Sequence, residues 1–243
     1  MADESAFTTS WPAPSTLETL KLVHRRGTKF LDLVQHSAVP FVTVDFALSY
    51  NQYFSPVALQ RMRAQPAIRL HLHFEENRGG RGEAQAHVKL VDSNGRVRHY
   101  SHIAAKHCLT LPWFSRVRSL AISGLQDVAA AYCRPFPPMP DLEELCLVVG
   151  SVGAAGGMQL SCPRLERFEL VFEHANQPPI HAPVTAVEVT GFYHGKISKD
   201  ASSIELRLPG LDVGETCLTQ LAQDFAGVHV GLSLDPYVLP KCT

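Results

Sequence analysis

The 12 histidines are the residues of this sequence that could carry metal chemistry. His71 and His73 stand two positions apart in an alternating segment, so both lie on one face of a predicted strand. His102, His107 and Cys108 lie close together further along the chain. Imidazole nitrogens and thiolates are the ligands that zinc prefers. Because the sequence lacks two suitably spaced ligand pairs, we expect exposed or hydrogen-bonded histidines and no metal site.

A cofactor-binding turn is the second possibility. It would lie in the glycine-rich segment 150–157, which follows the apolar run Leu145–Val149. A strand that leads into glycines is typical of dinucleotide-binding turns. Here the spacing is G-x-x-G-x-x-G rather than G-x-G-x-x-G, and residues 158–162 leave no room for the helix that would hold a pyrophosphate. We interpret the segment as a loop between repeats and expect no cofactor. A G-x-S-x-G nucleophile turn does not occur, so we predict no catalytic residues.

The run Arg-Gly-Gly-Arg-Gly at 78–82 resembles an RNA-binding tract. It occurs once, and Glu75, Glu76 and Glu83 flank it, so these carboxylates oppose phosphate binding. The formal net charge of the chain is −1, which does not favour general attraction to nucleic acid or anionic membranes. We expect a solvated loop and no nucleic-acid partner.

Composition describes an ordinary globular protein, with 45% apolar and 19% charged residues in 243. The six cysteines show no C-x-x-C spacing, and we interpret them as reduced thiols of an intracellular protein. No run approaches the ~18 apolar residues of a membrane-spanning helix. The acidic start, Met1–Ser5, does not resemble a signal peptide. We therefore predict a cytoplasmic or nuclear protein without a membrane segment.

A short phrase recurs along the chain, with the form apolar-x-x-apolar-x-apolar. Its clearest copies start at Val117, Leu142 and Leu165, that is 25 and 23 residues apart. This spacing lies within the roughly 20–29 residues of leucine-rich repeats, whose phrase contributes one strand per repeat. The segment Ile68–Phe74 matches the phrase, and weaker copies start at Leu17, Val39, Val184, Ala201 and Phe225.

These phrases predict an α/β fold, an irregular leucine-rich-repeat solenoid with a parallel β-sheet on the concave face and helices or loops on the convex face. Residues 1–14 are predicted as a loose lead-in and residues 15–243 as a single domain. Asn94-Gly95 between alternating segments predicts a β-hairpin, or an irregular repeat, near 85–101. Helical return segments are expected at Thr28–His36, Tyr50–Met62 and Glu215–Phe225.

The segments Phe136–Leu147 and Leu160–Leu170 resemble the repeats of fungal F-box/leucine-rich-repeat proteins, in which a Pro or Cys-Pro precedes Leu-x-x-Leu-x-Leu. The resemblance implies a substrate receptor of a ubiquitin ligase, whose repeats hold the target while the F-box holds the cullin-ligase adaptor. The first phrase begins at Leu17, which leaves no room before it for an F-box. The residues present therefore do not favour adaptor binding.

The exposed strand positions supply the candidate binding residues. Alignment of the phrases places Glu169, Glu188 and Glu205 on adjacent strands, about 4.8 Å apart. Like charges at this spacing are unfavourable unless they are offset. In one interpretation Arg167 and Arg207 offset them diagonally, and the face is merely solvated. In the other, the acidic stripe receives a basic segment of a protein partner.

Lys21, Arg69 and His71 would form a basic pole at the opposite end of the same face. Our hypothesis is a non-enzymatic protein–protein interaction module, similar to a substrate receptor. The alternative is a small α/β hydrolase or oxidoreductase, in which the repeats are only an ordinary strand pattern. Connections of 17–19 residues after Leu165 and Val184 favour repeats, since full βαβ crossovers are longer.

Overall fold

The computed structural model describes most of the segments that carry the repeat phrases. These described residues are 11–12, 15–23, 34–35, 39–45, 68–75, 84–110, 112–124, 136–149, 159–172, 184–211 and 213–231.

Strands dominate the described part of the chain. They are β1 Trp11–Pro12, β2 Thr19–Val23, β3 Val34–Gln35, β4 Phe41–Asp45, β5 Arg69–Glu75, β6 Gln85–Val91, β7 Val97–Ala104, β8 Ser119–Ser123, β9 Glu144–Val149, β10 Arg167–Phe172, β11 Glu205–Pro209 and β12 Gly227–Gly231. The helices are α1 Ala105–Cys108, α2 Ala186–Lys196 and α3 Glu215–Asp224, with 3₁₀ turns at Pro112–Ser115 and Ala201–Ser203.

Ten strands form one open sheet in the order β12-β11-β10-β9-β8-β5-β6-β7-β4-β2, while β1 and β3 pair separately. Neighbouring strands are parallel, except that β6 is antiparallel to both β5 and β7. The molecule is thus a mixed α/β protein dominated by a sheet that does not close into a barrel. The α/β class is confirmed, and the leucine-rich-repeat solenoid stays a prediction.

Corresponding apolar positions of the repeat phrases lie side by side in this sheet. Leu120, Leu145 and Phe168 are in register on β8, β9 and β10, and all are fully buried. Each phrase therefore turns its apolar residues to the same face, where burial contributes roughly 1.5–3 kcal/mol per large side chain. The alternate positions form the other face of the sheet, called here the polar face.

The predicted hairpin is present as β6 and β7, joined by a tight turn. Asp92 Oδ1 accepts hydrogen bonds from the backbone N–H groups of Asn94 and Arg96, and Gly95 adopts a φ of 74°. This left-handed conformation suits glycine, which has no Cβ. The hairpin lies between β4 and β5 in the sheet, so it separates two blocks of parallel strands.

The repeat predicted from Val184 to Val189 is wrong, because α2 covers most of this segment. The Thr185 side chain accepts from the Glu188 N–H, and the Glu188 side chain accepts from the Thr185 N–H. This reciprocal capping box starts a helix rather than a strand. Tyr193 of α2 packs edge-to-face on Phe168 and Phe225, with ring centroids 5.4 and 5.2 Å away.

Helices α2 and α3 consequently lie in the connections β10–β11 and β11–β12, each of which joins parallel strands. Because no strand starts at Val184, the two short connections predicted after Leu165 and Val184 are replaced by one connection of residues 173–204 that contains α2. The helix predicted at Glu215–Phe225 is confirmed as α3.

Several other predictions fall on residues that the structure does not describe: most of the lead-in, the helix at Tyr50–Met62, the run at 78–82 and the loop at 150–157. Within the predicted helix Thr28–His36, the described pair Val34–Gln35 is instead a strand, parallel to Trp11–Pro12.

The four described cysteines, Cys108, Cys146, Cys162 and Cys217, are free thiols. Burial raises the pKa of the Cys108 thiol to about 12, so this thiol is protonated at neutral pH. This agrees with the prediction of reduced thiols.

No helix in the described ranges has the length and apolar character needed to cross a membrane.

Candidate functional site

The predicted acidic stripe does not form. Glu169 on β10 lies opposite Arg207, and Glu205 on β11 lies opposite Arg167. Glu188 is the third residue of α2, where it caps the helix instead of lying on a strand. The three glutamates therefore occupy two different rows of the sheet and one helix end.

Acidic and basic residues alternate across the polar face of β9 to β12. Arg167 forms an ion pair with Glu144 of the neighbouring strand. The Glu205 carboxylate accepts from Arg207 Nη2 at 3.1 Å and lies 3.0 Å from His229 Nε2. These side chains are partly exposed, so each pair contributes about 0–1 kcal/mol to stability. The pairing supports the interpretation of this face as a solvated one.

The predicted basic pole is also spread out. Lys21 and His71 lie in one row of the sheet, but β4, β7 and β6 separate their strands, so they are about 19 Å apart. Arg69 lies in the adjacent row. Whether any of these residues contacts a partner stays a prediction.

The polar face of β4 carries an exposed aromatic side chain that the sequence analysis did not select. Phe41 is 51% exposed and lies between Thr19 of β2 and Val97 of β7. Thr19 is exposed, and so is Lys21 two residues further along β2. Aromatic side chains are enriched at protein interfaces, which makes Phe41 a candidate contact residue.

Chemistry-bearing residues converge at one edge of the sheet, where the parallel strands β4, β5 and β7 end and the antiparallel β6 begins. Because these termini meet at the same edge, side chains distant in sequence become neighbours. We call Asp45, Glu75, His87 and His102 the histidine cluster.

The distances within the histidine cluster are those of direct hydrogen bonds. His87 Nε2 lies 3.0 Å from Glu75 Oε1, and His102 Nδ1 lies 2.8 Å from Asp45 Oδ1. The rings of His87 and His102 meet edge-to-face with centroids 4.8 Å apart. One potential metal-ligand atom from each of Glu75, His87 and His102 lies within 4.8 Å of the other two.

A β-bulge brings the two imidazoles together. Between the pairs Val88–Tyr100 and Ala86–Ile103, β7 contains one residue more than β6. His102 in this bulge has a φ of 60°, an uncommon conformation for a residue other than glycine. The extra residue lies opposite the buried His87 of β6, which is why the two imidazole rings approach each other.

Neighbouring residues extend the cluster toward β8. His73 Nδ1 lies 2.8 Å from Ser123 Oγ, and the His73 ring centroid is 5.8 Å from that of His87. Burial lowers the pKa of His99, and the nearby positive charges of His87 and Lys89 lower it further. This part of the face therefore combines several imidazoles within a short distance of one another.

The same neighbours change the pKa of the Glu75 carboxyl group. Burial alone would raise its pKa, but the hydrogen bond from His87 and the charges of His87, His102 and His73 outweigh that effect. The pKa of Glu75 is therefore lower than usual, and the group is a carboxylate at neutral pH. A carboxylate beside two imidazoles is a chemically suitable set for binding a divalent cation.

Proximity in sequence grouped His102 with His107 and Cys108, whereas the contacts of the His102 ring include Asp45 and His87. Cys108 is a fully buried thiol of the core. The actual neighbours of His102 come from other strands, and Glu75 and His87 were not singled out as ligands. The available signal was the predicted hairpin, which follows the strand that ends at Glu75.

Comparison with protein-family models, with curated proteins and with solved structures gives no match for this chain. The resemblance of its phrases to F-box/leucine-rich-repeat proteins accordingly stays a prediction.

Proposed function

We propose that the protein is a non-enzymatic protein-binding module, in which the polar face around Phe41 contacts the partner. The observation that carries the proposal is the 51% exposure of this phenylalanine on a sheet face that is mostly polar. Aromatic side chains that become desolvated at the centre of an interface dominate binding energy. A rim of polar groups around such an anchor is the usual arrangement.

The surroundings of Phe41 indicate the chemistry of the partner. Thr19 is its neighbour in register, and the exposed Lys21 lies diagonally from it on β2. A segment with an apolar side chain and a nearby carboxylate matches these groups. The basic segment expected from the sequence suited an acidic stripe, and the pairing of Glu205 with Arg207 and His229 removes that reason.

The width of the sheet indicates that a partner contacts one end of the polar face rather than all of it. Ten strands span nine gaps, or about 43 Å from β2 to β12. A standard interface covers about 800 Å² per partner, which corresponds to a patch roughly 30 Å across. One partner of ordinary size therefore does not reach both Lys21 and Glu205.

The test compares proteins captured from a fungal cell extract by wild type, Phe41→Ser and Val187→Ser. Val187 is a matched control, because it is 78% exposed and lies on α2, which packs on the other face of the sheet. Circular dichroism verifies that each variant is folded. We expect specific partners with wild type and Val187→Ser, and their loss with Phe41→Ser.

Equal recovery from all three proteins contradicts the proposed surface. Among the captured proteins, the cullin-ligase adaptor is the informative one. Its presence supports a ubiquitin-ligase substrate receptor, and a specific partner without it supports a binding module of another kind.

A further inference from the structure

We propose that Glu75, His87 and His102 form a binding site for a single Zn²⁺ ion. Two imidazole nitrogens and one carboxylate oxygen are a ligand set that zinc accepts, with a fourth position left for water. The three ligands of this site do not include Phe41, so the zinc proposal is independent of the proposed protein contact. The spacing of histidines in the sequence predicts no metal site, so this inference rests on the three-dimensional arrangement alone.

The observed spacing requires little rearrangement. Tetrahedral zinc with bonds of about 2.0–2.2 Å separates its ligand atoms by roughly 3.4 Å. His87 Nε2 and Glu75 Oε1, at 3.0 Å, are already close to this separation. The largest separation within the set is 4.8 Å, and the Glu75 side chain is 42% exposed and can adjust. The ion would replace the direct contact between His87 Nε2 and Glu75 Oε1.

Asp45 provides the outer contact that metal-binding histidines usually have. Its Oδ1 lies 2.8 Å from His102 Nδ1, so the carboxylate holds the proton on that nitrogen. The Nε2 atom of His102 then carries the lone pair that a metal needs. Such carboxylate–histidine contacts orient the ring and increase the basicity of the ligand.

The backbone fixes the two imidazoles before any ion arrives. The bulge in β7 and the left-handed conformation of His102 are constrained features, of the kind that accumulate at functional sites. His87 is 5% exposed and lies on a strand hydrogen-bonded on both sides. Ligands on rigid elements lose little freedom on binding, which favours affinity.

The donor atoms select among cations. Mg²⁺ and Ca²⁺ prefer oxygen ligands throughout, whereas imidazole nitrogen suits zinc and neighbouring transition metals. With two nitrogens and one oxygen, the set favours Zn²⁺ over Mg²⁺.

Isothermal titration of the purified full chain with ZnCl₂ tests the proposal. We expect one ion per chain for wild type, no saturable binding for His87→Ala or Glu75→Gln, and a loss of about 10–100-fold in affinity for Asp45→Asn. Titration with MgCl₂ should give no comparable heat. Glu75→Gln alters a partly exposed side chain, so it reports on binding even if His87→Ala fails to fold.

His229→Ala is the matched control, because His229 also lies 3.0 Å from a glutamate but belongs to the exposed face of β12. This variant should bind Zn²⁺ as wild type does. The proposal is overturned if wild type does not bind the ion, or if Glu75→Gln binds it with unchanged affinity. Because Phe41→Ser leaves all four cluster residues intact, it should bind zinc normally, which separates failure here from failure of the protein-contact proposal.

Discussion

The histidine cluster and the polar face of β9 to β12 each contain a histidine–glutamate contact of 3.0 Å, in very different surroundings. His87, beside Glu75, is 5% exposed, whereas His229, beside Glu205, is 63% exposed. A second imidazole and another carboxylate meet the first pair, and an arginine joins the second. The same contact can therefore belong to a candidate site or to an ordinary surface.

The difference between the two regions comes from strand direction. In the parallel block from β8 to β12, neighbouring strands place successive phrases side by side, so charged residues form long rows in contact with solvent. Around β6, the antiparallel hairpin brings its first residues against the last residues of β5. Polar groups are then concentrated at one edge and partly buried, where electrostatic interactions are stronger than at the surface.

At the boundary between the two regions, the position most sensitive to substitution is Gly124, the residue after β8. Its φ is 69°, and a Cβ there would overlap the carbonyl oxygen of Phe74 and lie 2.8 Å from the carbonyl carbon. Phe74 stands between His73 and Glu75, so the clash displaces the strand end that supports the histidine cluster. We expect Gly124→Ala to lower the free energy of unfolding by about 3 kcal/mol, as measured by urea denaturation.

Gly95→Ala is the control for this substitution. Gly95 also has a positive φ, 74°, but an added Cβ would meet no atom within 4 Å. Only the conformational penalty remains, so the expected loss is about 1 kcal/mol. Equal losses for both variants would show that the contact between β8 and β5 is looser than described.

Glu188 differs from the carboxylates of both regions, since its role is local to α2. Thr185→Ala removes the N-cap and should cost about 1 kcal/mol in urea denaturation. Thr219→Ala is the control, because Thr219 lies inside α3, where alanine is the better helix former. A larger loss for Thr219→Ala would contradict the capping assignment.

The capping box also predicts a pH dependence. The hydrogen bonds from the Thr185 backbone and hydroxyl lower the pKa of Glu188 in the folded protein. Its stabilising contribution is thus fully present above the ordinary glutamate pKa of about 4.3 and is lost as pH falls through the lower folded value. Urea denaturation of wild type and Glu188→Gln at pH 7 and pH 3 should show a smaller stability difference at the lower pH.

Much of the sheet could be predicted because alternation in short phrases is local. Leu145 and Leu147 suffice to identify β9 and its buried face. The phrase at Val184 fits the same pattern and is nevertheless helical, with Val189 buried and Val187 78% exposed. There Thr185 and Glu188, three residues apart, were the deciding signal.

Register was much less predictable than strand identity. The phrase alignment placed Glu205 in the same row as Glu169, but Leu206 pairs with Phe168, which puts Glu205 opposite Arg167. This is a slip of two residues, and such a slip keeps every side chain on its predicted face. Hydrophobic pattern therefore cannot detect it, and the charge pattern of the face came out wrong.

The histidine cluster could not be predicted from local sequence patterns, because it also depends on how the strands pair. It requires the antiparallel pairing of β5 with β6, which places Glu75 opposite Gln85, and an extra residue in β7 opposite His87. A hairpin turn can be predicted from Asn94-Gly95, but a bulge several residues away has no comparable sequence signature. Tertiary pairing alone converts three distant residues into one candidate site.

Double-mutant cycles compare the two histidine–glutamate contacts directly. Their coupling energies are the smallest of the predicted effects. Glu75→Gln with His87→Ala should give a coupling energy of about 1 kcal/mol, because His87 is buried and hydrogen-bonded to a charged group. Glu205→Gln with His229→Ala should give about 0.3 kcal/mol, since solvent screens an exposed pair. Urea denaturation at pH 7 in a chelator-containing buffer provides both values without bound metal.

Raising the salt concentration should sharpen this last comparison. Screening by 1 M NaCl reaches solvent-exposed pairs far more than buried ones, so the coupling of Glu205 with His229 should vanish while that of Glu75 with His87 persists. If both couplings fall together, His87 and Glu75 are as well solvated as the surface pair. The histidine cluster would then lack the enclosed, fixed geometry on which its assignment as a metal site depends.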